Sequence, residues 1–403
     1  MKNGQKFIAC ILCLVLTFSL SSCIGDADEE KKDSQKTAAS AENERQSNLD
    51  VILPTAYSNV DGLDLEPGSY ISLIGRSSSG EFWEMIQAGA QQAVDDINTA
   101  LGYTGDDKIK VTFSGPGEKD NVNEQVNILD QELDLYPVAL GIAIVDSTAC
   151  EVQFDLAAEN NIPIVAFESG SEYENLEAMV ATNNTEAMQT AAAKLCQAID
   201  EEGEILLFVH DSTSTVAVEQ EESFLNEIKS NHPNVTVTGV YHMDQLDEIK
   251  EQIAAERNAQ NEANAGGAEA DTDNVPPADT GIKAEDITDQ EVLDYILEQH
   301  PDVKGCVTSD ADTTQTVLAA IKSAAGNEIE IIGFNGGSNQ LASLKNESLT
   351  GLIVQNPYGM GYATVIAAAR AALGLGNEAT VDCGYIWVTK DNMETEYIKK
   401  LLY

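Results

Sequence analysis

Short apolar runs alternate with amphipathic helical stretches almost without interruption from Tyr70 to Tyr403, and this alternation restricts the chain to an α/β fold. The first unit sets the pattern. Tyr70-Ile71-Ser72-Leu73-Ile74-Gly75 reads as a buried parallel strand, too short for a core helix. Arg76-Ser77-Ser78-Ser79-Gly80-Glu81 reads as a loop in which Ser79 or Gly80 caps the helix that follows. Phe82, Ile86, Ala90, Ala93, Val94 and Ile97 recur at helical spacing and turn one face onto a sheet. Phe82 and Trp83 are left in the first turn, at the carboxyl end of a strand, where open α/β sheets bind ligands.

Further strands are expected at Lys108–Phe113, Val138–Val145, Ile162–Phe167, Glu204–Val209, Val235–His242, Val303–Thr308, Ile329–Phe334 and Gly351–Gln355. Helical stretches separate them, including Glu186–Ile199, Ser223–Asn231 and Tyr358–Leu373. Strands spaced by helices imply βαβ units with right-handed crossovers, and the stretch is too long for one ordinary sheet. Two α/β lobes are expected. The segment from Ala254 to about Ile287 breaks the rhythm and reads as a disordered acidic insertion. Residues 23–67 are rich in Asp, Glu, Lys, Ser and Asn and read as a flexible acidic tether.

The amino-terminal stretch reads as an export signal. Lys2 and Lys6 precede an apolar run from Phe7 to Phe18, and Leu20-Ser21-Ser22-Cys23 closes it. That ending resembles a bacterial lipobox, which implies cleavage after residue 22 and acylation of Cys23. The formal charge is -46, and removing residues 1–22 takes away two lysines and no acids, leaving -48. Such a surface repels nucleic acid and anionic lipid. Cys150, Cys196, Cys306 and Cys383 show no CxxC or framework spacing and are expected as free thiols. The four histidines show no ligand spacing, so neither a metal nor a cofactor is expected.

No catalytic motif is present. Gly75-Arg76-Ser77-Ser78-Ser79 is not GxSxG, no Gly-Lys-Ser/Thr follows it, and no GxGxxG follows a strand. A polar residue immediately after a strand does recur. It is seen at Glu168-Ser169, Asp211, Asp310, Asn335 and Asn356. Each alone fits a helix cap or turn; together they suit a polar small-molecule site with Phe82 and Trp83 as its apolar floor.

From Tyr70 to Tyr403 the sequence resembles the type I periplasmic-binding-protein superfamily, sugar ABC-transporter substrate-binding group. The resemblance rests on the turn before Phe82-Trp83, Asn161-Ile162-Pro163-Ile164-Val165, Thr182-Asn183-Asn184-Thr185, Ile331-Ile332-Gly333-Phe334-Asn335-Gly336 and Gln355-Asn356-Pro357-Tyr358-Gly359. It implies two Rossmann-like lobes with parallel sheets, joined by three hinge crossovers near Thr182-Asn183, Gln355-Asn356 and Tyr385-Ile386, with the ligand cleft between them. Lobe boundaries at 68–182 with 356–385, and 183–355 with 386–403, follow. By position the resemblance maps an aromatic platform to Phe82 and Trp83 and polar contacts to Glu168, Asp310, Asn335 and Asn356; Arg76, Ser79, Ser169 and Asp211, in the same loops, complete the expected ligand set. Where sugar binders usually place arginine after the first-lobe acid this chain has Ser169, and the usual aspartate after Gly-Phe is Asn335.

The function expected is capture of a small polar ligand, a carbohydrate first, by a lipid-anchored extracytoplasmic monomer that delivers it to an ABC permease without catalysis. The alternatives are a sensor signalling to a membrane kinase, and a binder of amines or other cationic solutes.

Overall fold

The computed structural model describes residues 46–265, 281–323 and 329–403. The expected signal segment and Cys23 lie outside them. Among the described residues twelve strands form two sheets. In chain order the first five are β1 (Tyr70–Ile74), β2 (Lys110–Ser114), β3 (Ala139–Ile142), β4 (Ile164–Phe167) and β5 (Leu176–Ala181). They are followed by β6 (Gly203–Val209), β7 (Val235–His242), β8 (Val303–Thr308), β9 (Glu330–Phe334) and β10 (Gly351–Gln355). β11 (Thr380–Asp382) and β12 (Tyr385–Val388) complete the set.

The first sheet has the order β11-β5-β4-β3-β1-β2 and is parallel throughout. The second has the order β12-β10-β9-β8-β6-β7, parallel except for β12 against β10. Strand membership shows the chain passing between sheets three times: after β5, after β10 and after β11. The fold is therefore the expected two-lobed α/β arrangement with three crossovers.

Burial explains the strands. β3, β4 and β10 are buried along their whole length, as apolar runs covered by helices on both faces must be. The helix Pro357–Ala372 is buried from Pro357 through Ala369, and its residues join those of Glu81–Leu101 in the core of the first lobe. The two helices approach closely because both carry glycine at the contact. A Cβ on Gly89 would lie 1.9 Å from the Tyr358 carbonyl oxygen, and one on Gly361 1.9 Å from that of Ile86.

Two expectations are corrected. Residues 46–67 do not belong to a tether: Leu49, Ile52, Tyr57, Leu63 and Leu65 are buried in the first-lobe core. Leu53 also pairs with Asp382 through two backbone hydrogen bonds of 2.8 and 2.9 Å. The apolar residues are sparse, but each is inserted into the core, which average composition hides. Nor is 254–287 wholly an insertion. The helix Asp247–Ala265 runs into it, with Ile253 and Ala254 buried in the second-lobe core. Asn258 then brackets the returning chain, donating to the Ile282 carbonyl and accepting from the Ile282 amide, both at 2.8 Å. Residues 266–280 lie outside the described ones. The four cysteines beyond Cys23 are free and buried.

Candidate functional site

β1, β4, β6, β8, β9 and β10 all end on the side where the two sheets face each other, and the loops after them enclose a cavity of about 450 Å³. This is the size of a small-ligand pocket, at the strand ends where α/β sheets bind ligands.

Arg76 follows β1 and is buried. Its Nε donates to Asp120 Oδ1 at 2.6 Å, and its Nη2 reaches Asp211 Oδ2 at 3.4 Å, across from the other sheet. Its Nη1 lies 3.9 Å from Glu168 Oε2. Burial disfavours the guanidinium charge, but Glu168, Asp120 and Asp211 outweigh burial and hold it more firmly protonated than usual.

Lys119, in the loop after β2, bonds Asp310 Oδ2 at 3.0 Å and Asp312 Oδ2 at 2.7 Å from the opposite lobe. Burial alone would raise the Asp310 carboxyl. Lys119, His210 and the hydrogen bonds to Thr313 overcome that and bring it down to about 2. Lys119 is correspondingly shifted up, as Asp310 and Asp312 outweigh burial. At the rim, Glu81 accepts from the Ser338 amide at 2.8 Å and from its hydroxyl, a third polar link between the lobes.

The expected residues separate on inspection. Arg76, Ser79, Phe82, Trp83, Glu168, Asp310 and Asn335 line the cavity. Trp83 is only 8% exposed and packs on Phe113, while the half-buried Phe82 meets it edge-on at 5.3 Å. Asp211 sits behind the wall. It accepts from the Thr213 and Ser214 amides at 2.9 and 2.6 Å and pairs with Arg76.

Ser169 and Asn356 are turned away, which corrects the expectation for both. Ser169 is fully buried and its hydroxyl donates to the Ile144 carbonyl at 2.7 Å, tying the ends of β3 and β4. Asn356 caps the helix Pro357–Ala372 by accepting from the Gly359 amide, and donates to the Asn48 and Cys383 carbonyls at 2.7 and 3.0 Å. Gln355, one residue earlier, lines the cavity instead.

Lys119, His210, Gln220, Gln315 and Tyr403 also line it and were not anticipated. His210 stands directly after β6 and obeys the same rule that found Glu168, whereas Lys119 lies five residues past the end of β2. Tyr403 has no local signal: it arrives from the far end of the chain and packs 6.4 Å from Phe82. His210 is held by Ser309, whose hydroxyl lies 2.7 Å from its Nδ1.

Among the described residues one cluster has the side chains to hold a metal: Cys196, Glu201 and His232. Glu201 leads into the amino end of β6, away from the cavity, and His232 Nδ1 is already hydrogen-bonded to it at 2.6 Å.

Residues 71–289 and 274–376 match the family described as "Periplasmic binding protein domain". The chain belongs to the type I periplasmic binding protein family. It is 22% identical over 230 residues to the ribose import binding protein RbsB of Bacillus subtilis, an alignment spanning 57% of this chain and 61% of that relative. A carbohydrate transporter solute-binding protein from Agrobacterium radiobacter, solved with D-arabinose, superposes with a TM-score of 0.64 at 24% identity, covering 83% of this chain and 99% of that one. A solute-binding protein from Agrobacterium vitis, solved with α-D-tagatopyranose, gives 0.65 at 18% identity, with 83% and 99% covered. These binding proteins share the two-lobed architecture seen here. All three are described as binding proteins.

Proposed function

We propose that this protein is an extracytoplasmic solute-binding lipoprotein, anchored through Cys23, that captures a sugar or sugar derivative by lobe closure and delivers it to an ABC importer. The observation that carries this reading is the cavity itself. It lies between the carboxyl ends of two parallel sheets, is lined by polar side chains beside Phe82, and is spanned by Arg76–Asp211 and Lys119–Asp310 from opposite lobes. A ligand that touches both walls stabilises the closed arrangement by its differential affinity. The sugars bound by the two solved relatives support the ligand class. We take the lobes to be 68–182 with 356–385 and 183–355 with 386–403, residues 46–67 packing on the first.

The test is a thermal-shift screen of the full-length chain against monosaccharides, polyols, aminodeoxy sugars, nucleosides and amino acids. A ligand binding only the folded state adds ~2.7 kcal/mol at a hundredfold excess over its dissociation constant, and a rise in midpoint with sugars or their derivatives is expected. A rise confined to nucleosides or amino acids would overturn the ligand class. Cys23→Ser should abolish incorporation of labelled fatty acid; persistence of label would overturn the anchor.

A further inference from the structure

We propose that the captured ligand carries a protonated amine beside its hydroxyls, as an aminodeoxy sugar or amino polyol does, rather than being a neutral or acidic sugar. This rests on the capture reading above and names the ligand chemistry of that same cavity.

The charges decide the sign. Six carboxylates surround the site, those of Glu81, Asp120, Glu168, Asp211, Asp310 and Asp312, against two permanent cations, Arg76 and Lys119. Protonating His210 would not reverse the excess. Both cations are already committed to the protein's own acids, Arg76 to Asp120, Asp211 and Glu168, and Lys119 to Asp310 and Asp312. A ligand carboxylate or phosphate would have to displace one of these pairs and strand its partner.

The unmet hydrogen-bonding capacity has the same sense. Among the residues that line the cavity, Glu168 Oε2, Asn335 Oδ1 and Gln220 Oε1 are buried acceptors with no hydrogen bond in the protein; Gln315 Nε2 is one such donor, and the Tyr403 hydroxyl can serve in either role. Buried polar atoms in native proteins are satisfied, so these await partners from the ligand. Even with Tyr403 counted as a donor, acceptors outnumber donors three to two, which favours a donor-rich molecule. An ammonium group supplies three donors and the positive charge together. Glu168 is the natural recipient. Its side chain is 17% exposed, and its one ion-pair partner among the described residues, Arg76, stands at 3.9 Å, beyond hydrogen-bond reach.

The experiment is titration calorimetry of the full-length chain with matched trios: D-glucosamine, N-acetyl-D-glucosamine and D-glucose, and the corresponding galactose and mannose sets. In at least one trio the free amine should bind ten times or more tighter than both its N-acetyl and its neutral counterpart. Glu168→Gln should shrink that preference to threefold or less, with the ligand-free melting midpoint unchanged. Neutral sugars binding as tightly as their amines, or a preference that survives Glu168→Gln, would overturn this inference and leave the capture reading standing. Absence of binding by every member of all three trios would overturn both.

Discussion

Glu168 and Asn335 occupy corresponding positions in the two lobes. Each follows a phenylalanine that ends the third strand of its sheet, Phe167 in β4 and Phe334 in β9. Each has a left-handed backbone, with φ of 62° and 68°. Each donates its amide to the neighbouring strand, Glu168 to the Val180 carbonyl at 2.9 Å and Asn335 to that of Ile353 at 2.7 Å. Two lobes built on the same strand order thus present one polar side chain each from the same kink. Asparagine visits this conformation readily, whereas for glutamate it costs about 1–2 kcal/mol, a strain characteristic of ligand-holding residues.

Replacing Glu168 with glycine removes that strain while adding freedom to the unfolded chain, and the two effects nearly cancel. Glu168→Gly should therefore keep ligand-free stability within about 1 kcal/mol of the parent in urea melts. Ligand affinity should fall at least tenfold by calorimetry, an order-of-magnitude figure for loss of one charge-assisted contact. Retained affinity would remove Glu168 from the site.

Asp310 makes stability depend on acidity. Its carboxyl titrates at about 2 in the folded protein, below its ordinary value of 3.8. The stabilisation is complete above the unfolded value and is lost as pH falls from about 4 to about 2, at a scale of roughly 2 kcal/mol. In chemical melts across that range, Asp310→Asn should flatten the dependence by about that amount. An unchanged slope would mean that Lys119 does not hold the carboxylate in solution.

The adjacent aromatics should behave differently. Trp83 belongs to the first-lobe core, so Trp83→Ala should cost about 3–5 kcal/mol in unfolding free energy. Phe82 is half-buried between Trp83 and Tyr403, and Phe82→Ala should weaken ligand binding with a smaller stability loss. Equal destabilisation by both would make Phe82 a core residue.

Gly361→Ala should be more damaging than its one added carbon suggests. The new methyl would meet the Ile86 backbone at 1.9 Å, and backbone cannot swing aside as a side chain does. We expect a cost of at least about 1–3 kcal/mol, read from denaturant melts of the ligand-free protein. A variant as stable as the parent would show that the two helices slide apart easily.

Much of this fold was legible in the residues. β7, β8 and β10 lie where the apolar runs at Val235–His242, Val303–Thr308 and Gly351–Gln355 placed them. β5 was missed because Leu176-Glu177-Ala178-Met179 is made of good helix formers; it is a strand because it bridges β4 and β11. The site was half legible. Polar residues after strands identified Glu168, Asp310 and Asn335, but the same rule swept in Ser169 and Asn356, whose side chains serve the backbone. Spacing along a chain says where a loop lies, not which way its side chains turn. Tyr403 and the Lys119 bridge depend on contacts between distant segments, which no local pattern encodes.

The route of the chain has a consequence for its synthesis. The helix at the centre of the first lobe, Pro357–Ala372, and the edge strand β11 leave the ribosome only after the second-lobe strands β6 to β10. Without them the inner faces of Glu81–Leu101, β3 and β4 have nothing to pack on. The amino-terminal lobe, though begun first, is completed only after five strands of the other lobe have been made. Its earlier strands must wait as exposed apolar segments, a period in which a chaperone or passage across a membrane in the unfolded state would keep them from pairing wrongly.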